Sequence, residues 1–319
     1  MLLIISVCLL IMSCNRYSSA QDLPISAEIG YSASKAEGTK EKAPMDERQP
    51  REASGEPIST AVSSGWQLIW HDEFEGPRGR KPDKRKWTAE LGGRGWGNQE
   101  LEYYTDHNAY QDGKGRLVIE ARLENPANTS CWYGPCRYTS ARLITKGKFA
   151  LTYGRVEARI KIPSGKGIWP AFWMLGQDID VVGWPGSGEI DIMENIGREP
   201  ATVHGTIHGP NYSGAGGISE SYSLEKGRFA DHFHLFAVEW APDQISFSVD
   251  GTAYFTVTRA AVEQRGKWVY DHPFYLLLNV AVGGSWPGDP DSNSTIPNPS
   301  WSIMFGCISG ATEDEFCKL

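Results

Sequence analysis

The chain has 319 residues, with 31 Lys and Arg against 39 Asp and Glu and a formal charge of −8. That balance excludes charge-driven adhesion to nucleic acid or to an anionic membrane and favours a neutral ligand. Hydrophobic residues at 40% suffice for a large core, while 35 Gly and 19 Pro exclude a bundle of long helices. Twelve Trp and thirteen Tyr supply flat amphipathic rings, which fill a core or stack on planar ligands and sugars.

The first thirteen residues, MLLIISVCLLIMS, form an apolar run of secretory length that is too short to cross a bilayer as a helix. Two processing sites compete. Ser18-Ser19-Ala20 suits an ordinary signal peptidase, whereas Ile11-Met12-Ser13-Cys14 resembles a bacterial lipobox that would put a lipid anchor on Cys14. Either reading makes residues 1–20 an export leader and places the protein outside the cell or in its envelope. Residues 21–64 are rich in Ser, Ala, Glu, Lys, Pro and Gly. Such a stretch cannot bury enough apolar surface to offset chain entropy, so it reads as a solvated linker.

A single folded domain is expected from 65 to 319. Short runs of β-branched and aromatic residues between turn signals predict strands at 66–70, 116–123, 140–145, 154–162, 189–194, 202–208, 234–241, 244–249, 252–257 and 274–282. That succession describes an antiparallel sandwich. In 155–162 the small and apolar residues alternate with charges, the pattern of a half-buried strand. Asp250-Gly251 predicts a two-residue hairpin turn, and 259–264 is a weak helical stretch. In an exported protein, Cys131 and Cys136 read as a disulfide closed by the turn formers Gly134 and Pro135. A zinc site lacks a second close Cys pair. The basic run 78–86 is most simply a solvated loop.

The segment 184–194, WPGSGEIDIME, holds Glu189, Asp191 and Glu194 within six positions of an apolar strand. Like charges this close raise one another's pKa, so the cluster demands a use. Glu189 and Asp191 share a face by the period of two, and a β-bulge at Met193 would return Glu194 to it. The outer Cα atoms would then lie roughly 13 Å apart, within reach of two long side chains that lean toward one glycosidic bond. Asp191, between them, could hold a proton or hydrogen bond that tunes its neighbours.

With this cluster the sequence resembles glycoside hydrolase family 16, in its laminarinase-like endo-β-1,3-glucanase branch. The matching stretches are Trp70 to Gly76 (WHDEFEG), Gly97 to Thr105 (GNQELEYYT), Gly167 to Leu175 (GIWPAFWML), the bulged acid cluster, and Leu278 to Gly284 (LNVAVGG). The resemblance implies an all-β fold, a concanavalin A-like β-jelly roll of two antiparallel sheets with a carbohydrate cleft on its concave face. It implies hydrolysis with retention of configuration and no catalytic cofactor. Carried over by position, Glu189 corresponds to the nucleophile, Asp191 to the assisting acid and Glu194 to the general acid/base. Trp169 and Trp173, four apart in an extended segment, share a face, and the resemblance places both in the cleft with Asn98, Trp184, His208 and Trp286 as further sugar contacts. His204 and His208 have a spacing that metal sites also use, but no further ligand motif accompanies them.

The implied partner is a β-glucan polysaccharide, bound by a monomer. A hydrolase of another β-glucan or galactan, a transglycosylase and a non-catalytic glucan-binding module are the alternatives, the last disfavoured by the presence of all three acids. One departure stands out. Family members end in an apolar strand whose Asp helps bind a structural calcium, and no such strand is recognisable after Asp291. The final strand is therefore expected to be atypical or missing, with 301–308 as its substitute and a divergent tail from about 292. A calcium site at Glu75 and the turn near Gly115 would lose its third contributor, and marginal folding is expected.

Overall fold

The computed structural model describes residues 66–291 and, by backbone alone, 300–313. The expected leader with Cys14 and the expected linker lie outside the described residues.

Alternation decides what each strand buries. In Gly154–Lys161 the side chains of Val156, Ala158 and Ile160 are buried and the charged residues between them reach solvent, and in Gln244–Val249 the buried set is Ile245, Phe247 and Val249. These residues share one cluster with Phe172, Met174, Ile190 and Ile192 from the opposite sheet. The core is thus the space between two stacked sheets.

The smaller sheet has seven strands, in the order Ile218–Ser223, Thr202–His208, Glu189–Glu194, Ile168–Gly176, Phe274–Val282, Arg142–Ile144 and Thr88–Glu90, and its pairings are antiparallel. The larger, ten-stranded sheet runs Thr252–Thr258, Gln244–Val249, His234–Ala241, Gly154–Lys161, Ser300–Glu313, Leu117–Leu123, Tyr138–Ser140, Glu102–Tyr104, with Trp66–Asp72 and Ala109–Gln111 paired alongside. Its one parallel pairing joins Glu102–Tyr104 to Tyr138–Ser140. The jelly-roll sandwich expected from the sequence is the fold observed. Asp250 and Gly251 adopt φ of 49° and 81°, the left-handed pair that a two-residue hairpin needs. Cys131 and Cys136 are bonded across a small hairpin, with Cα atoms 5.1 Å apart.

Three expectations are corrected. The single strand predicted at 140–145 is two, Tyr138–Ser140 in the larger sheet and Arg142–Ile144 in the smaller. The chain changes sheets at the fully buried Ala141, where a small side chain fits the corner between layers. Strands at Ile168–Gly176 and Ile218–Ser223 were not in the predicted set. The first is apolar almost throughout and interrupted by Pro170, so it lacks the period-two alternation of a half-buried strand, and the second carries Ser and Glu with little apolar content.

The final strand, expected to be atypical or missing, is present and longer than the predicted substitute. Ser300–Glu313 pairs with Gly154–Lys161 on one side and with Leu117–Leu123 and then Trp66–Asp72 on the other. An interior position is satisfied by backbone groups, so it tolerates a sequence that departs from the family's usual strand. Glu75 and Gly115 lie in neighbouring turns, where a Cβ on Gly115 would sit 3.6 Å from the Glu73 carbonyl oxygen. The Glu75 side chain is exposed, and among the described residues no set of three acidic or imidazole ligands gathers around it. The described side chains alone do not make a calcium cage there.

Because Ser300–Glu313 separates two strands that have no other partner along those edges, truncation after Pro299 should abolish the cooperative thermal transition followed by circular dichroism. A melt within about 5 °C of the intact chain would show that the sheet closes without it.

Candidate active site

Glu189–Glu194 lies inside the seven-stranded sheet, flanked by Ile168–Gly176 and Thr202–His208. On one side Asp191 faces Trp173 and Met193 faces Phe172, which leaves Ile192 without an opposite number. On the other, Asp191 and Glu194 face Thr206 and His204, three steps against two. This is the expected β-bulge, with the extra residue at the Ile192–Met193 pair. Ile190, Ile192 and Met193 all enter the core, and the three acids project from the other face of the sheet.

Burial dominates the electrostatics. It raises Glu189 to about 8, helped by the charge of Asp191, and Glu194 to about 7, helped by Glu189. Asp191 is pushed well above the carboxylate range by burial and by the charge of Glu194. Glu189 and Asp191 share a hydrogen bond, so the cluster holds protons in common near neutrality. His208 opposes the shifts of the two glutamates; its Nε2 lies 3.1 Å from Asp191 Oδ2 and 4.0 Å from Glu189 Oε1. The backbone carbonyl of His208 accepts a 2.9 Å bond from the Tyr270 hydroxyl.

Indole groups hold the two glutamates. Trp184 Nε1 donates to Glu189 Oε2 at 2.8 Å, and Trp169 Nε1 donates to Glu194 Oε1 at 2.9 Å. Trp286 stands edge-on to Trp169 with ring centres 5.4 Å apart, and His204 packs against Trp286 at 5.1 Å. Trp173 turns its Nε1 to Asn279 Oδ1 at 2.7 Å, while the Arg142 guanidinium lies 4.7 Å from its ring centre. Asn98 is exposed and donates to Glu100 Oε1 at 3.0 Å.

The structure therefore brings Glu189, Asp191, Glu194, His208, Trp184, Trp169 and Trp286 together directly. Trp173 joins them through strand register opposite Asp191, and Asn98 stands on a separate loop. His204 and His208 do not converge: His204, opposite Glu194 in register, has its Nε2 3.4 Å from Glu199 Oε2, whereas His208 Nε2 turns to Asp191. Glu189, Asp191 and His208 each place one ligand atom within 4.8 Å of the others, the one such convergence among the described residues. Sequence reasoning missed Asn279, Arg142, Tyr270 and Glu100. Asn279 had a signal, being the lone amide in the apolar run 274–282, while Arg142 and Glu100 looked like ordinary strand charges.

A two-sheet jelly roll that aligns three acids, Asp191 and Glu194 buried and Glu189 partly so, among indole donors on one sheet face is a carbohydrate-cleaving enzyme, a glycoside hydrolase. The sequence profile of glycosyl hydrolases family 16 matches residues 97–302, and the chain belongs to that family. A β-glucanase of Rhodothermus marinus is 43% identical over 241 residues, which cover 71% of this chain and 80% of that protein. The X-ray structure of an endo-β-1,3-glucanase from Pyrococcus furiosus superposes with a TM-score of 0.72 at 50% identity, covering 78% of this chain and 95% of that one. The laminarinase catalytic domain from Thermotoga maritima gives 0.73 at 46% identity, with coverage of 78% and 99%.

Raised carboxyl pKa values have a stability consequence. The folded state binds these protons more tightly than the unfolded chain, so the stability that Glu189 and Glu194 contribute is fully present below about pH 4.5 and is lost as pH rises through about 7 to 8. Glu189→Gln removes one such group. It should melt a few degrees above the parent at pH 8.5, with each kcal/mol worth about 2–4 °C in a domain of this size, and the gap should close at pH 4. Differential scanning calorimetry at the two pH values checks this; an equal gap at both would exclude the protonation account.

Proposed function

We propose that the protein is an exported, endo-acting hydrolase of β-1,3-glucosidic bonds in laminarin-type β-glucans, working by double displacement with retention of configuration. The observation that carries the reading is the bulge, which sets Glu189 and Glu194 on one face with Asp191 between them. The kinship with glucanases supports the substrate class, and the apolar leader with its two processing sites supports export, either free or through a lipid on Cys14.

In the first step Glu194 gives its proton to the glycosidic oxygen while the Glu189 carboxylate attacks the anomeric carbon. The C–O bond to the leaving sugar breaks and a glycosyl ester forms on Glu189. In the second, Glu194, now ionised, takes a proton from water as the water oxygen attacks the same carbon and releases Glu189. For this sequence the proton shared by Glu189 and Asp191 must reside on Asp191 when attack occurs. At rest the bond between them favours the proton on Glu189, so substrate binding has to shift it to Asp191, while the indole N–H of Trp184 already favours the ionised form of Glu189. The half-buried rings of Trp169, Trp173 and Trp286 offer faces for pyranose C–H groups.

Incubation with laminarin, lichenan and agarose, with products followed by proton NMR, tests linkage and stereochemistry together. Laminarin should be cut fastest, with the β-anomer of the new reducing end appearing first. Glu189→Gln should lower kcat by at least about 10³-fold while laminarin binding survives. Release of the α-anomer first, or unchanged turnover in the variant, would overturn the mechanism.

A further inference from the structure

A second pair of buried carboxyls lies on the loop and strand that pack beside the end of Phe274–Val282. Glu100 is 4% exposed and Glu102 is fully buried, and neither touches the reacting acids. Two residues apart in an extended stretch, they share a side and a hydrogen bond. Glu100 accepts from Asn98 Nδ2 on one oxygen and from the Tyr104 hydroxyl on the other, both at 3.0 Å; burial raises its pKa, and these donors, the bond to Glu102 and the positive charge of Arg142 oppose that rise. Glu102 Oε2 accepts the Val282 N–H at 2.6 Å, but no donor reaches its Oε1. The bond between the two carboxyls needs one proton, and it favours the neutral form of Glu102 and the ionised form of Glu100. Burial and the neighbouring charge push Glu102 well above the carboxylate range, in keeping with this assignment.

From Glu100 a chain of bonds with a fixed direction reaches the acid-bearing face. A phenol has one proton, and Tyr104 gives it to Glu100, so its oxygen must accept. Among the described residues the donor to it is Asn279, whose Nδ2 lies 3.1 Å away. The amide oxygen of Asn279 is thereby turned toward the Trp173 indole N–H, 2.7 Å away. Trp173 stands opposite Asp191 in the strand register. The same carboxylate fixes Asn98 by a separate bond, leaving Asn98 Oδ1, which bonds no described residue, to accept from a sugar hydroxyl.

We infer that Glu100, protonically paired with Glu102, is a positioning residue that orients two substrate-contacting groups at once, Asn98 directly and Trp173 through Tyr104 and Asn279. The kinetic part of this inference rests on the proposed glucanase function, and the spectroscopic part does not. Glu100 touches no reacting atom, so its loss weakens the hold on the polysaccharide and leaves bond cleavage largely intact.

The test compares Asn98→Ala, Tyr104→Phe and Glu100→Gln in the full chain. Each of the first two should raise KM for laminarin by about 3–10-fold with kcat held within about two-fold, the scale of one ordinary net hydrogen bond. Glu100→Gln cannot accept on both atoms and should raise KM by about the product of the two. Adding either of the other substitutions to it should then raise KM no further, since all act through one carboxylate. In parallel, the indole N–H resonance of Trp173, assigned in ¹⁵N-tryptophan protein against Trp173→Phe, should shift in Tyr104→Phe and Glu100→Gln and stay in Asn98→Ala. An unmoved resonance in Tyr104→Phe, or a fall in kcat at constant KM, would overturn the inference. If Glu100→Gln does not fold, the two outer variants still decide it. If the wild-type protein cuts no glucan, the proposed function fails while the resonance still reports on the relay.

Discussion

Three carboxyl groups on six consecutive residues of an interior strand lose hydration and repel one another, and the rest of the domain is arranged around tolerating that. A regular strand would send Glu194 into the apolar core. The bulge instead turns both Ile192 and Met193 inward and gathers the acids on the opposite face. What remains is the electrostatic cost of gathering them. It is lessened by shared protons, by the imidazole of His208 beside Asp191, and by indole N–H groups aimed at the two glutamates. Uncharged indole donors stabilise carboxylates without fixing them in the ionised form, as a paired Arg would. A group that must both give and take a proton requires that latitude.

Much of this was legible in the chain because it is written in period two. The strands 154–162, 189–194, 202–208, 234–241 and 244–249 follow from alternation, and their observed bounds differ little, since the residues that fill one core face are also those with β-propensity. The bulge was legible for the same reason: Glu194 breaks the parity that Glu189 and Asp191 set. The switch between sheets at Ala141 was not, because a strand that leaves one layer for another keeps its β-forming composition on both sides of the corner. The substitute expected at 301–308 is present within Ser300–Glu313, but the strand's full length and its partners were not legible, for a further reason. Its place is determined by three partners distant in sequence, and pairing of that kind is invisible to any local pattern.

Among the site residues, the acids announced themselves by charge in an apolar run, whereas their supports did not. Asn279 is the partial exception, for an amide among Leu, Val and Ala in a central strand must find partners, as Trp173 and Tyr104 prove to be. Glu100 and Glu102 read locally as solvent-facing strand charges, and only the packing of their segment against Val282 shows them to be buried.

Two acid clusters thus flank the strand that carries Trp173, and they differ in what holds them. The Glu189 cluster keeps its protons exchangeable, with an imidazole and indoles as neighbours and part of the glutamate surface open to solvent. The Glu100 pair is enclosed, takes three neutral donors, Asn98, Tyr104 and the Val282 N–H, with the charge of Arg142 nearby, and its shared bond favours the proton on Glu102. A mobile proton suits chemistry and a fixed one suits geometry. Since Trp173 faces Asp191 across the strand pair and leans through Asn279 and Tyr104 on Glu100, the rigid cluster holds the indole from which the labile one is one strand away. The position of the sugar relative to the acids then depends on a carboxylate that never meets it.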